Sequence, residues 1–231
     1  PSTASLHFKN IYNVSSRPIS KARGSFWLAR AYQDLGQKEL AQKWFLEASN
    51  YNLTFYGQLA NGYLETKLKF DVNRHPEKVD LNNINSEMVK VYKAIYLLEE
   101  LKEFKIMKKF IWSIAKDDNT NERLRITKLA NKLNRDDFAV QAGKLVYYDT
   151  LLFTPESFPA VNRPEFGKII FPPQPFIHSV IRQESQFDPK AGSYAGAKGL
   201  MQIMPYTGKK LSKGLNLKYT KSKLTSDPTY N

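Results

Sequence analysis

The stretch Ile181 to Pro205, IRQESQFDPKAGSYAGAKGLMQIMP, places one glutamate, Glu184, just before a glycine-dense segment. After Pro175 the residues FIHSVIRQES can begin a helix, since proline is tolerated in a first turn where its missing N–H would have no intrahelical partner. At about 100° per residue, Glu184 then falls among Phe176, Ile177, Val180 and Ile181, while His178, Ser179, Arg182 and Gln183 point elsewhere. A carboxyl group set against a hydrophobic wall has its ionised form disfavoured, and the negative end of the helix dipole acts in the same direction. Both effects favour a group that can give and retake a proton near neutral pH. The same placement also fits a glutamate that caps, pairs with an arginine, or reaches into water at a fraying helix end.

The residues that follow narrow the chemistry. Gly192, Gly196 and Gly199 permit close backbone approach, and Leu200, Met201, Ile203 and Met204 then surround Gln202 before Pro205. An adaptable thioether wall with one amide suits a sugar ring, which offers apolar faces and hydroxyls together. Ser185 reads as a local backbone partner at a helix end, and Asp188, ahead of Pro189, as part of a helix stop. No second catalytic carboxylate stands out, although most glycosidases use two.

Other chemistries lack their residues. The sequence has no cysteine, so thiol catalysis and thiolate metal sites are excluded. His7, His75 and His178 form no HExxH, Ser193 lies outside any G-x-S-x-G elbow, and GSYAGAKG fits neither a Walker loop nor G-x-G-x-x-G. No metal or cofactor is implied. The net charge of +13 points to a polyanionic partner, whether nucleic acid, anionic lipid or an acidic cell-wall polymer. A nucleic-acid reading rests on that charge alone, with no zinc finger, RNP-like strand or recognition helix beside it. Six lysines lie between Lys209 and Lys223, a run that ordinarily forms a solvated face.

These residues must be positioned by a chain of 231 residues, enough for one large domain or two small ones. No run approaches the roughly 18 apolar residues of a membrane span. The start at Pro1, without methionine or an apolar leader, reads as a processed or trimmed terminus. SFWLARAYQDLGQKELAQKWFLEAS predicts two amphipathic helices around Gly36, with Trp27, Leu28, Ala31, Tyr32 and Leu35 on one stripe and Leu40, Ala41, Trp44, Phe45 and Ala48 on the other. Similar hairpins are predicted around Lys102 and Asn134, so the turns recur at about two and then one lengths of a roughly 33-residue, tetratricopeptide-like period. A polar connection containing Pro76 leads to a helix start at Ser86. Six prolines from Pro155 to Pro175 break the helical pattern, and alternating strand patterns are scarce. The expected class is all-α: a superhelix of paired helices over 1–168, then a smaller domain over 169–231.

The run IRQES.FDP.A.S.AGA.GLMQ.MP.T resembles the glycan-cleaving domain of the soluble lytic transglycosylases, and FWLARAY and TFYGQLA are similar to that family's helical region. The resemblance implies a lysozyme-like domain beginning near Phe176, of which residues 169–231 are the first part, lacking the later helices. It implies that Glu184 is the sole acid and base, that Ser193, Gln202 and Met204 line a glycan groove, and that Gly199, Leu200 and Met201 form the turn leading in. It further implies peptidoglycan glycan strands as partner, in the periplasm or cell envelope with possible peripheral association, and no nucleic acid. The implied reaction is non-hydrolytic cleavage between N-acetylmuramic acid and N-acetylglucosamine to leave 1,6-anhydromuramoyl ends. A lysozyme-type hydrolase and a catalytically inactive helical-repeat binding protein are the alternatives.

Overall fold

The computed structural model describes residues 1–66, 85–117, 119–160 and 172–231. The chain is all-α: among the described residues no strand forms, and only two isolated β-bridges occur. The predicted connection around Pro76 and the predicted boundary between residues 168 and 169 lie outside the described residues.

Two compact units are present, one formed by Pro1–Glu77 with Tyr147–Phe153, the other by Lys78–Val146 with Thr154–Asn231. The first contains α1 (Ser2–Val14), α2 (Pro18–Asp34), α3 (Lys38–Ser49) and α4 (Phe55–Tyr63). Phe26, Ala29, Ala41, Phe45, Ala48 and Ala60 make its core. Leu28 and Ala31 are buried as predicted, but Trp27, Leu35 and Leu40 remain 38–40% exposed, and Phe26 is the aromatic that fills the interior. It meets Phe45, Tyr56 and Tyr63 at ring separations of 5.5–5.6 Å, so the seam of α2 runs one residue to the side of the predicted stripe.

The second unit contains α5 (Ser86–Glu100), α6 (Phe104–Ala115), α7 (Thr120–Lys132) and most of α8 (Asp136–Thr150), joined by the C-terminal elements. Asn85 caps α5 by accepting from the Glu87 N–H at 3.0 Å, which fixes the predicted start at Ser86. Ile95, Met107, Ile111, Ile114, Ile126, Leu129 and Phe138 form a mainly aliphatic core with one aromatic ring. At its edge the buried Glu122 pairs with Arg125 and accepts from the Tyr92 hydroxyl at 2.6 Å. Both charges are thereby hydrogen-bonded, as burial requires.

The three predicted hairpin turns share one backbone closure. At Gly36, Lys102 and Asn134 φ is 72°, 58° and 53°. In each the next residue's N–H reaches back five positions: Gln37 to Tyr32 O, Glu103 to Leu98 O and Arg135 to Ala130 O, all at 2.9 Å. This is the Schellman arrangement, in which a left-handed residue lets orphaned carbonyls be satisfied as the chain reverses. Glycine adopts it freely and asparagine tolerates it, whereas a lysine pays roughly 1–2 kcal/mol in Cβ crowding.

Lys102→Gly should therefore raise stability by about 0.5–1 kcal/mol, the relief of strain being partly offset by a more flexible unfolded chain. Chemical denaturation would check it, and a loss of stability would show that the exposed Lys102–Glu99 ion pair outweighs the strain. A second expectation concerns Lys144 on α8, whose ammonium is pushed down to about 8 by burial, with the positive charge of Arg182 adding to the effect. Because the unfolded lysine keeps its proton to higher pH, the unfolded state binds more protons above pH 8, and stability should rise from there towards about pH 10. Melting temperatures across that window should climb for the parent protein and flatten for Lys144→Met.

Candidate active site

The helix predicted after Pro175 is α9 (Gln174–Glu184), with Pro173 as its N-cap residue and Pro175 in its first turn. Its last residue is Glu184. The stop comes earlier than Asp188-Pro189: the Ser185 N–H and hydroxyl both donate to Ile181 O, at 3.0 and 3.1 Å, and Gln186 and Phe187 then take φ of 55° and 65°. Two consecutive left-handed residues turn the chain sharply, and Phe187 folds back against Ile181 and Val140. Asp188 is occupied locally, accepting from the Lys190 N–H at 2.8 Å.

Glu184 is exposed, which corrects the expectation of a carboxyl held against an apolar wall. The reason lies in where the seam of α9 runs. Ile181 and Ser185 are buried and Ile177 and His178 partly so, whereas Phe176 is 60% exposed. At about 100° per residue the buried arc is centred on Ile181, not on the Phe176–Val180 side, and Glu184 stands on its flank. Ser185, one position on, takes the buried place.

The following loop is built on backbone pairing. Lys198 bridges Gly192 on one side and Ile203 on the other, exchanging bonds with Ile203 at 3.1 and 2.9 Å. Ser193 closes its own turn, since its hydroxyl accepts from the Ala197 N–H at 3.0 Å. Gln202 sits at φ 49° and its side-chain amide donates to Gly199 O at 2.8 Å. Leu200 and Met201 pack on Ile181 and Phe187, so the loop is seated against α9 by the same seam that leaves Glu184 open. Met204 is exposed, and Pro205 does not end the segment but opens α10 (Pro205–Gly214). A short α11 (Lys223–Ser226) follows.

Of the residues predicted to act together, Leu200 and Met201 share a cluster with α9, while Gly199 and Gln202 shape the turn. Ser193 and Met204 are exposed, as is Glu184. Asn231 was not singled out by any local pattern, yet it holds the turn. Its Oδ1 accepts from the Met201 N–H at 2.7 Å, and its Nδ2 donates to Lys198 O at 2.9 Å and Leu224 O at 3.0 Å. Gly199, at φ +77°, lies so close that a Cβ would sit 1.9 Å from Leu224 O and 2.4 Å from Asn231 Nδ2. The pairing is thirty residues apart in sequence, and a signal for it would have required the fold.

Among the described residues no cluster of histidine and carboxylate side chains could hold a metal ion. What the site offers is one open carboxylate at the end of α9 and, packed on that helix, a hydrogen-bonded loop with apolar and amide groups.

Residues 172–231 match the Transglycosylase SLT domain. The chain is similar to the soluble lytic murein transglycosylases of Escherichia coli K12 and O157:H7, each 29% identical over 193 residues, which is 79% of this chain and 28% of the relative. Among solved structures it is similar to the 70 kDa soluble lytic transglycosylase of E. coli, with a TM-score of 0.68 at 21% identity over 91% of this chain and 34% of that one. A complex of the 70 kDa soluble lytic transglycosylase with bulgecin A gives 0.66 at 23% identity, covering 90% and 33% of the two chains. An inactive glutamate-to-glutamine mutant of the lytic transglycosylase Slt from Pseudomonas aeruginosa gives 0.65 at 19%, covering 90% and 34%. The chain thus spans about a third or less of the length of these relatives, and the structural likeness confirms the all-α fold.

Gly199→Ala should cost at least about 2 kcal/mol, from left-handed strain and the clash with Leu224 O, and Asn231→Ala about 1–3 kcal/mol, from three lost partners. Urea unfolding of both variants would measure this. Wild-type stability in either would mean that the turn is not held at this point.

Proposed function

We propose that the protein cleaves the β-1,4 bond between N-acetylmuramic acid and N-acetylglucosamine in peptidoglycan without water, leaving 1,6-anhydromuramoyl ends, with Glu184 as acid and then base. The observation that carries this is the coincidence of the SLT match over residues 172–231 with a carboxylate at the end of α9, beside a loop whose backbone Asn231 holds at Lys198 and Met201. The names of the relatives and the inactivity of a glutamate-to-glutamine mutant of one of them support it.

The chemistry needs a proton delivered to the glycosidic oxygen and then removed from the muramoyl 6-hydroxyl, which attacks the anomeric carbon of its own sugar. One carboxyl does both in turn, and the substrate's acetamido group supplies the stabilisation that a second carboxylate gives elsewhere. Glu184 is open to water in the free protein, and a sugar laid over Leu200–Met204 would come to lie next to the end of α9. Gln202 and the adjoining backbone would hold the hydroxyls, with Ser193 and Met204 at the edges of the groove. The net charge of +13 concentrates a polymer whose peptides and lactyl groups carry carboxylates, so activity should weaken with salt. This reading places the protein in the periplasm or cell envelope, and no described helix is long and apolar enough to cross a membrane.

Glu184→Gln should lower release of soluble anhydromuropeptides from sacculi about a hundred-fold or more, while leaving the melting temperature within a degree or so, since an exposed side chain carries little stability. Undiminished release by this variant would remove Glu184 from the chemistry, and no release by the parent protein would leave the helical-repeat binding reading.

A further inference from the structure

The lysine-rich segment after the loop forms more than a solvated face. Lys209 and Lys213 lie one turn apart on α10, and the chain reverses at Asn216, φ 58°, with the Leu217 N–H bonded to Ser212 O at 2.8 Å. The returning residues Leu217, Lys218 and Tyr219 face those two lysines across a cleft of about 470 Å³, and no acidic side chain lines it. The nearest acid in sequence, Asp227, is 3.9 Å from Lys223 instead.

The cleft is held in shape from below. The Tyr230 hydroxyl accepts from the Thr220 N–H at 3.1 Å, lies 3.3 Å from Ser212 Oγ and donates to Lys218 O at 3.3 Å, so it ties α10 to the returning segment after the turn. Ser212 is buried, its hydroxyl donating to Gly208 O at 2.7 Å. Gly208 leaves room for the Tyr219 ring, which a Cβ there would approach to 3.1 Å. The Tyr219 hydroxyl is shielded from water and has no hydrogen-bond partner among the described residues, although it belongs to a residue that lines the cleft. Buried hydroxyls are ordinarily satisfied, so the Tyr219 ring is a wall of the cleft and its charge lies in the lysines at the rim. Three like charges around one hollow also repel, a cost that an anion removes.

We propose that this cleft binds the terminal carboxylate of a peptidoglycan stem peptide, an inference that rests on the reading of the substrate given above. The spacing fits. With 1.5 Å rise per residue, Lys209 and Lys213 stand about 6 and 12 Å along α10 from Pro205, where the loop beside Glu184 ends. An extended peptide of four residues reaches about 14 Å at most. A muramoyl unit on the loop would thus have a stem long enough to span the separation along α10, and the exposed Leu217 offers an apolar edge for the peptide's side chains.

The test is binding of a free stem tetrapeptide, followed by chemical-shift titration of the wild type and of the triple variant K209Q/K213Q/K218Q, with the C-terminal carboxamide of the same peptide and inorganic phosphate as the other probes. The expected result is saturable binding that shifts the Tyr219 and Lys218 resonances and weakens about ten-fold or more in the triple variant and with the carboxamide. Carboxamide binding equal to carboxylate, phosphate binding as tight as the peptide, or unchanged affinity in the variant would each overturn the proposal. All three lysines are exposed, so the variant keeps its fold, and a matching thermal melt verifies that. The titration requires no cleavage. Peptide binding by a protein inert on sacculi would sink the cleavage reading alone, and cleavage without peptide binding would sink the cleft alone.

Discussion

The absence of a side chain at Gly199 is the constraint from which the C-terminal architecture follows. Leu224 O and the Asn231 amide occupy the space that any Cβ would need, and the backbone there is left-handed. Because the chain can pass that closely, Asn231 bonds to both sides of the turn at once, to Lys198 O and to the Met201 N–H. The turn is then rigid enough to present Leu200 and Met201 to Ile181 and Phe187. Remove the close approach and the loop loses its seat on α9, and with it any fixed relation to Glu184.

The helical part is governed by a different economy, repeated short-range closure. Three hairpins end in the same left-handed residue and the same five-residue back-bond, at Gly36, Lys102 and Asn134. Within each compact unit, neighbouring helices bury one another's apolar seams. The second unit holds the C-terminal segment together with α5, α6, α7 and α8 as far as Val146, and Val140 of α8 completes the cluster under α9. Arg182, in the last turn of α9, reaches the other way, donating to Ser157 O at 3.1 Å.

The hairpins were legible in the sequence because the signals that make them are local: apolar residues at helical spacing, interrupted by a turn residue whose neighbours are close in the chain. The glutamate was legible as a singularity but its environment was not. Period alone places Phe176, Val180 and Ile181 on one apolar side, and only the position of Val140, Leu200 and Met201 decides that the seam is centred on Ile181 and Ser185. Asn231 was illegible for the opposite reason, since its partners Lys198 and Met201 are thirty or more residues away and nothing in SDPTYN announces them. Glycines at 192, 196 and 199 were read alike as permissive, and yet only Gly199 combines a positive φ with occupied space on its Cβ side.

The chemical account depends on a reaction in which the attacking oxygen belongs to the substrate. One open carboxylate next to a fixed loop is enough for that, whereas a hydrolase would need to activate a water molecule and most often does so with a second carboxylate. Digestion of sacculi in water enriched in heavy oxygen, followed by mass analysis of the released glycan ends, separates the two. The account predicts 1,6-anhydromuramoyl ends that carry no heavy oxygen, and reducing ends labelled with it would contradict it.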